Sequence, residues 1–163
     1  MEPTATTHLT LLPTPEAPGL ARRRVRQVCG HVPEEQRRLV ELLVSELVTN
    51  AVRHVPRPAT EKDAPIGLLV LCADDFVRVD VHDSDPRPVA AAPESPGSAE
   101  SGRGLILVSR LASEWGCDPS PAGGKVVWFE LDLGTTSTQE GSPDLPEPAS
   151  WSDPSTSKVD TSH

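Results

Sequence analysis

Glu46, Asn50 and His54 recur at every fourth position inside an otherwise apolar stretch, residues 39–54. A helix turns once in about 3.6 residues, so the spacing stacks an acid, an amide and an imidazole in a slowly drifting line. Such a line can hold a metal-bound anion and set a base beside it. Asp83 closes a stretch of alternating apolar and polar residues, and Gly102-Arg103-Gly104-Leu105 opens a third helical pattern. Glycines at a helix start let backbone N–H groups approach phosphates, whose charge the helix dipole favours. Each feature also has an ordinary counterpart: the polar face of an amphipathic helix, a turn-forming aspartate, a loop-to-helix junction.

Taken together they describe a nucleotide site. Asn50 can offer its amide oxygen to Mg²⁺, an ion that takes one or two protein ligands and completes its shell with phosphate oxygens and water. Glu46, one turn earlier, can take a proton from an attacking hydroxyl or water. Asp83 can accept a hydrogen bond from the adenine amino group, where the carbonyl of guanine would be repelled. Residues 84–103, rich in proline and small residues, are long for a loop within a domain and suit a lid over the phosphates. Arg53, Arg103 and Arg110 can offset phosphate charge or lie on a solvated surface. His54 can reach phosphate or cap its helix.

The elements that must position these groups follow from periodicity. A strand is expected over His8–Leu12. A helix is expected over Pro18–His31, with Leu20, Ala21, Val25 and Val28 apolar and Arg22, Arg23, Arg24 and Arg26 on a solvated face. A second helix runs from Glu34 to His54, with Leu39, Leu42, Leu43, Leu47 and Ala51 toward a core, until Pro56 and Pro58 stop it. Ile66–Ala73 and Phe76–Asp83 read as strands joined by a tight turn at Asp74-Asp75. Gly104–Trp115 reads as a third helix, and Lys125–Leu133 as a last strand after a turn at Ala122-Gly123-Gly124. Trp115, Trp128 and Phe129 are expected in the core, and Lys125 in a structural role. The order predicts a two-layer α/β sandwich, its sheet mixed but mainly antiparallel, with helices on one face.

The 163 residues suffice for one domain, expected over 7–133. Residues 1–6 are expected to lie outside it. So is 134–163, a Pro/Ser/Thr-rich tail with five acids against one lysine. The net charge of −9 argues against direct nucleic-acid binding. Three scattered cysteines without a CxxC pair argue against zinc or a disulfide framework. Without a signal-like or membrane-spanning run, a soluble cytoplasmic protein is expected.

Glu46 through His54 resembles the N box of the histidine-kinase-like, gyrase-type ATPases, and most closely that of the anti-sigma-factor serine/threonine protein kinases. Asp83 falls where their first glycine box begins. Gly102–Gly116 is similar to their second glycine box and its helix, and Gly123–Leu131 to their closing strand. The resemblance covers about residues 7–133. It implies a Bergerat fold holding ATP and Mg²⁺, with Asn50 as magnesium ligand, Glu46 as general base and Asp83 as adenine contact. Gly102 and Gly104 would form the phosphate-side hinge of the lid, with Arg103 and Leu105 between and after them and His54 also on the nucleotide side. It also implies phosphorylation of a small antagonist protein and sequestration of a sigma factor, commonly by a homodimer. The alternative is a non-catalytic partner-binding module of the same fold. Two departures bear on that choice: Asp85 stands where the family has a glycine, and Val126 where it often has a threonine.

Overall fold

Period-two alternation of apolar residues builds most of the sheet, and helices cover one of its faces. A computed structural model of the chain describes residues 4–53, 64–87, 89 and 103–134. The elements are β1 (Ala5–Leu11), α1 (Ala17–Val28), α2 (Glu34–Arg53), β2 (Ile66–Cys72), β3 (Phe76–Asp83), α3 (Arg103–Leu111), β4 (Glu114–Pro119) and β5 (Lys125–Asp132). The strands form one sheet in the order β1-β2-β3-β5-β4. Every neighbouring pair is antiparallel, so among the described residues the sheet is purely antiparallel rather than mixed.

Ile66, Leu68 and Val70 of β2, Val77, Val79 and Val81 of β3, and Val127, Phe129 and Leu131 of β5 are buried beneath the helices. Full burial of a side chain such as Phe129 contributes about 1.5–3 kcal/mol. Helix α2 is buried on more than one side. Val40, Leu43, Val44, Leu47, Val48, Ala51 and Val52 all lie in the core, because α2 packs on α1, α3 and the sheet together.

Several expectations require correction. Leu20 and Leu42 are exposed, at 44% and 41%, whereas Ala17, Ala21 and Val25 of α1 and Val40, Leu43, Val44 and Leu47 of α2 are buried. The arginine face of α1 is only partly free in solvent: Arg22, half-buried, donates to Ser45 Oγ at 2.9 Å, and Arg26, though 59% exposed, donates to Glu41 Oε2 at 2.9 Å, tying α1 to α2. The third helix ends at Leu111, and Glu114–Pro119 is a strand that the sequence did not signal. Trp128 lies on the outer face of the sheet. Its ring sits under the Arg78 guanidinium, 4.2 Å from the centroid, and its indole N–H donates to Asp118. Strand β1 starts at Ala5, so two residues of the segment expected outside the domain join the sheet.

Candidate functional site

Helix α2 and the amino end of α3 form one half of the candidate site. Glu46 and Asn50 are half-buried among the buried Ser45, Leu47, Val48 and Ala51. Glu46 lies directly against α3. A Cβ placed on Gly104 would stand 2.5 Å from Glu46 Oε2 and 3.2 Å from Glu46 Cβ, so only a glycine leaves the carboxylate where it is. The first-turn N–H groups of α3 thus start beside an acid one turn from Asn50. Arg103 is exposed at this helix start. Leu105 is 4% exposed and packs in the core, so its side chain serves the fold; any part it has in binding belongs to its backbone. His54 and Gly102 lie outside the described residues, as does most of the expected lid.

The other half is built where β3 ends and β5 begins. Asp83 pairs in register with Lys125. Both side chains are buried, 5% and 2% exposed, and Lys125 Nζ lies 3.2 Å from Asp83 Oδ2. The ammonium also donates to the backbone carbonyl of Asp85 at 2.9 Å. Asp83 Oδ1 accepts the Asp85 N–H at 2.9 Å. Gly124 makes the approach possible: at φ +79 its missing Cβ would overlap the Asp83 carbonyl oxygen. The Arg87 guanidinium clamps the Asp85 carboxylate through both oxygens, the shortest contact being 2.7 Å. Chiefly through that hydrogen bonding, and with help from the Lys125 charge, the Asp85 carboxyl is held well below the usual carboxylate range.

These contacts bear on both departures from the family pattern. Asp85 does not present an uncompensated charge to the site, because Arg87 and Lys125 flank it. Val126 lies on the opposite face of β5 from Lys125 and Val127, so a hydroxyl there would point away from Asp83. Lys125, after the glycine turn, ties the end of β3 to the turn that follows it, in keeping with a structural role. Its position was legible, since it shares the alternation of Val127, Phe129 and Leu131 that faces the core.

Mg²⁺ needs few protein ligands and fills the rest of its shell with phosphate oxygens and water. Asn50 supplies a neutral oxygen, and no group of three or more His, Cys, Asp or Glu that could hold a metal occurs among the described residues. At Gly104 the start of α3 is packed against the Glu46 side chain, so the carboxylate stands beside the first-turn N–H groups.

The model of the histidine kinase-like ATPase domain matches residues 11–130, nearly the whole described fold. The chain belongs to this family. The match spans α2, Asp83, the start of α3 and β5 in one continuous domain. No curated protein matches the sequence. Among solved structures, a chain of the SiaB-SiaC complex from Pseudomonas aeruginosa is similar in fold, with a TM-score of 0.53 and 14% identity over 77% of this chain and 89% of that one. Membership in an ATPase domain family implies ATP as the ligand class. No helix among the described residues is long and apolar enough to cross a membrane.

Proposed function

We propose that this histidine kinase-like domain is an ATP-dependent serine/threonine kinase of the anti-sigma-factor type. In this reading it phosphorylates a small antagonist protein and sequesters a sigma factor. The observation that carries the reading is the placement of Glu46 against Gly104, at the amino end of α3 and one turn from Asn50. Phosphates received at that helix start would lie beside an acid able to take the proton of an attacking serine hydroxyl. Asn50 would hold Mg²⁺, which when bound neutralises phosphate charge. Arg103 would add a cation on the same side. The resemblance of the N box to the anti-sigma-factor kinases supports the choice of partners. The compensated charge of Asp85 supports nucleotide binding.

The specific observation favouring a partner-binding module is that Asp83 is 6% exposed and already engaged by Lys125 and the Asp85 N–H. Titration with Mg-ATP, followed by transfer of labelled phosphate to a candidate antagonist, separates the two. Glu46→Gln should bind Mg-ATP like the parent and lose transfer by about 10²- to 10⁴-fold. Asn50→Ala should lose Mg²⁺-dependent binding while remaining folded. A parent domain that binds ATP yet transfers nothing would establish the module instead.

A further inference from the structure

Lys125 is the most deeply buried charged residue of the described fold, at 2% exposure. Burial strips an ammonium of water, and even a paired buried charge stabilises a fold little compared with a well-packed apolar residue. A stability role alone is therefore a weak account of a lysine on a face otherwise made of Val127, Phe129 and Leu131. What Lys125 does locally is specific. It joins Asp83 Oδ2 at the end of β3 to the Asp85 carbonyl in the following turn, while the Asp85 N–H holds Asp83 Oδ1. Both oxygens of the carboxylate are thus fixed by the protein before any ligand arrives.

We propose that Lys125 is a positioning residue for base selection: its ammonium keeps the Asp83 carboxylate ionised and fixed in orientation, so that the site can only accept a hydrogen bond from an incoming purine. The inference rests on the nucleotide-binding reading of the site. An ionised carboxylate has room for about four donors, so a base amino group need not displace Lys125. Adenine offers a 6-amino donor, whereas guanine carries a 6-oxo acceptor that the same carboxylate repels. Without the ammonium, burial favours the neutral carboxylic acid. A carboxylic acid can donate to the 6-oxo group, and the distinction between the two purines collapses. Lys125 reaches the ligand only through Asp83. Its removal should therefore change which base binds more than whether a triphosphate binds.

The test is the ratio of ATP to GTP affinity, measured by calorimetry on the full chain with Mg²⁺ and accompanied by thermal melts. The parent should prefer ATP, and Lys125→Met should reduce that preference by about tenfold or more, chiefly by tightening GTP. Lys125→Gln retains donors for Asp83 and the Asp85 carbonyl without the charge. It should fold even where the Met variant does not, and it should lose preference in the same direction. A folded variant with the parent ratio overturns the inference, and so does failure of both variants to fold, which would assign Lys125 to stability alone. A parent that binds neither nucleotide is a separate outcome, one that removes the nucleotide reading itself before any variant is made.

Discussion

The Asp85 carboxylate lies between Arg87 on the solvent side and Lys125 beneath, and its ionisation leaves a trace in stability. Its carboxyl titrates below the ordinary carboxylate range in the fold, so the unfolded chain binds the proton first as pH falls. The contribution is therefore complete above the ordinary aspartate value of about 3.9 and is lost as pH drops from there toward the folded value. Asp85→Asn should be slightly less stable than the parent at neutral pH, with a small gap because Arg87 is 76% exposed and solvent screens the pair. Denaturant melts at stepped pH should show that gap constant above about pH 5 and closing below pH 4. A gap independent of pH would mean that ionisation of Asp85 is not its source. The sequence alone does not reveal this pairing. It requires the turn after β3 to fold Arg87 back onto Asp85, and a string of prolines gives no periodicity from which to infer that. Asp83 and Lys125 are different. Their positions follow from strand alternation, and only their contact needed the register of β3 against β5.

Between elements, the junction of α2 with α3 can be tested through the glycine that permits it. Gly104→Ala adds a Cβ that must push the Glu46 carboxylate aside. The closest atom is the end of a flexible side chain, and Glu46 Cβ at 3.2 Å need give by only a few tenths of an ångström, so the fold should survive with a small drop in melting temperature. If Glu46 is the general base proposed above, phosphoryl transfer should fall by about tenfold or more, because its carboxylate is pushed out of place. Combined with Glu46→Gln, the loss should be no greater than for Glu46→Gln alone. Additive losses would show that Gly104 acts independently of Glu46. The elements themselves were unequally legible. Strand β3 matches its expected bounds because Val77, Val79 and Val81 alternate cleanly with Arg78, Asp80 and His82. Strand β4 did not show itself: its residues carry a glycine, a proline and no apolar alternation. Its partner β5 makes it a strand, and the opposed pair Gly116 and Trp128 exists only in the folded sheet. The same local ambiguity let helix periodicity run on past Leu111.

For the whole molecule, the family match and the described fold end close together, at residue 130 and at Gly134. Leu133 donates its N–H to the Asp75 carbonyl, and Gln36 donates to the Leu133 carbonyl, which fastens the exit of β5 to the β2–β3 turn and to α2. Residues 135–163 add five acids and one lysine, with Leu145, Trp151 and Val159 their only bulky apolar side chains. Such a composition offers little apolar area to set against the entropy of ordering it, and its charge would repel a nucleotide rather than hold one. Truncation after Gly134 should therefore leave the melting temperature within about two degrees of the full chain, since a loss of 1 kcal/mol would already move a domain of this size by about 4 °C. Affinity for Mg-ATP should be equally unaffected. Calorimetric melting and ATP titration of the two forms side by side provide the measurement. A drop of several degrees, accompanied by a change in Trp151 fluorescence on unfolding of the full chain, would show that the acidic segment docks on the domain. The basic helix α1, where Arg23 and Arg24 flank the exposed Leu20, would then be the face to examine by Arg23→Glu and Arg24→Glu reversal.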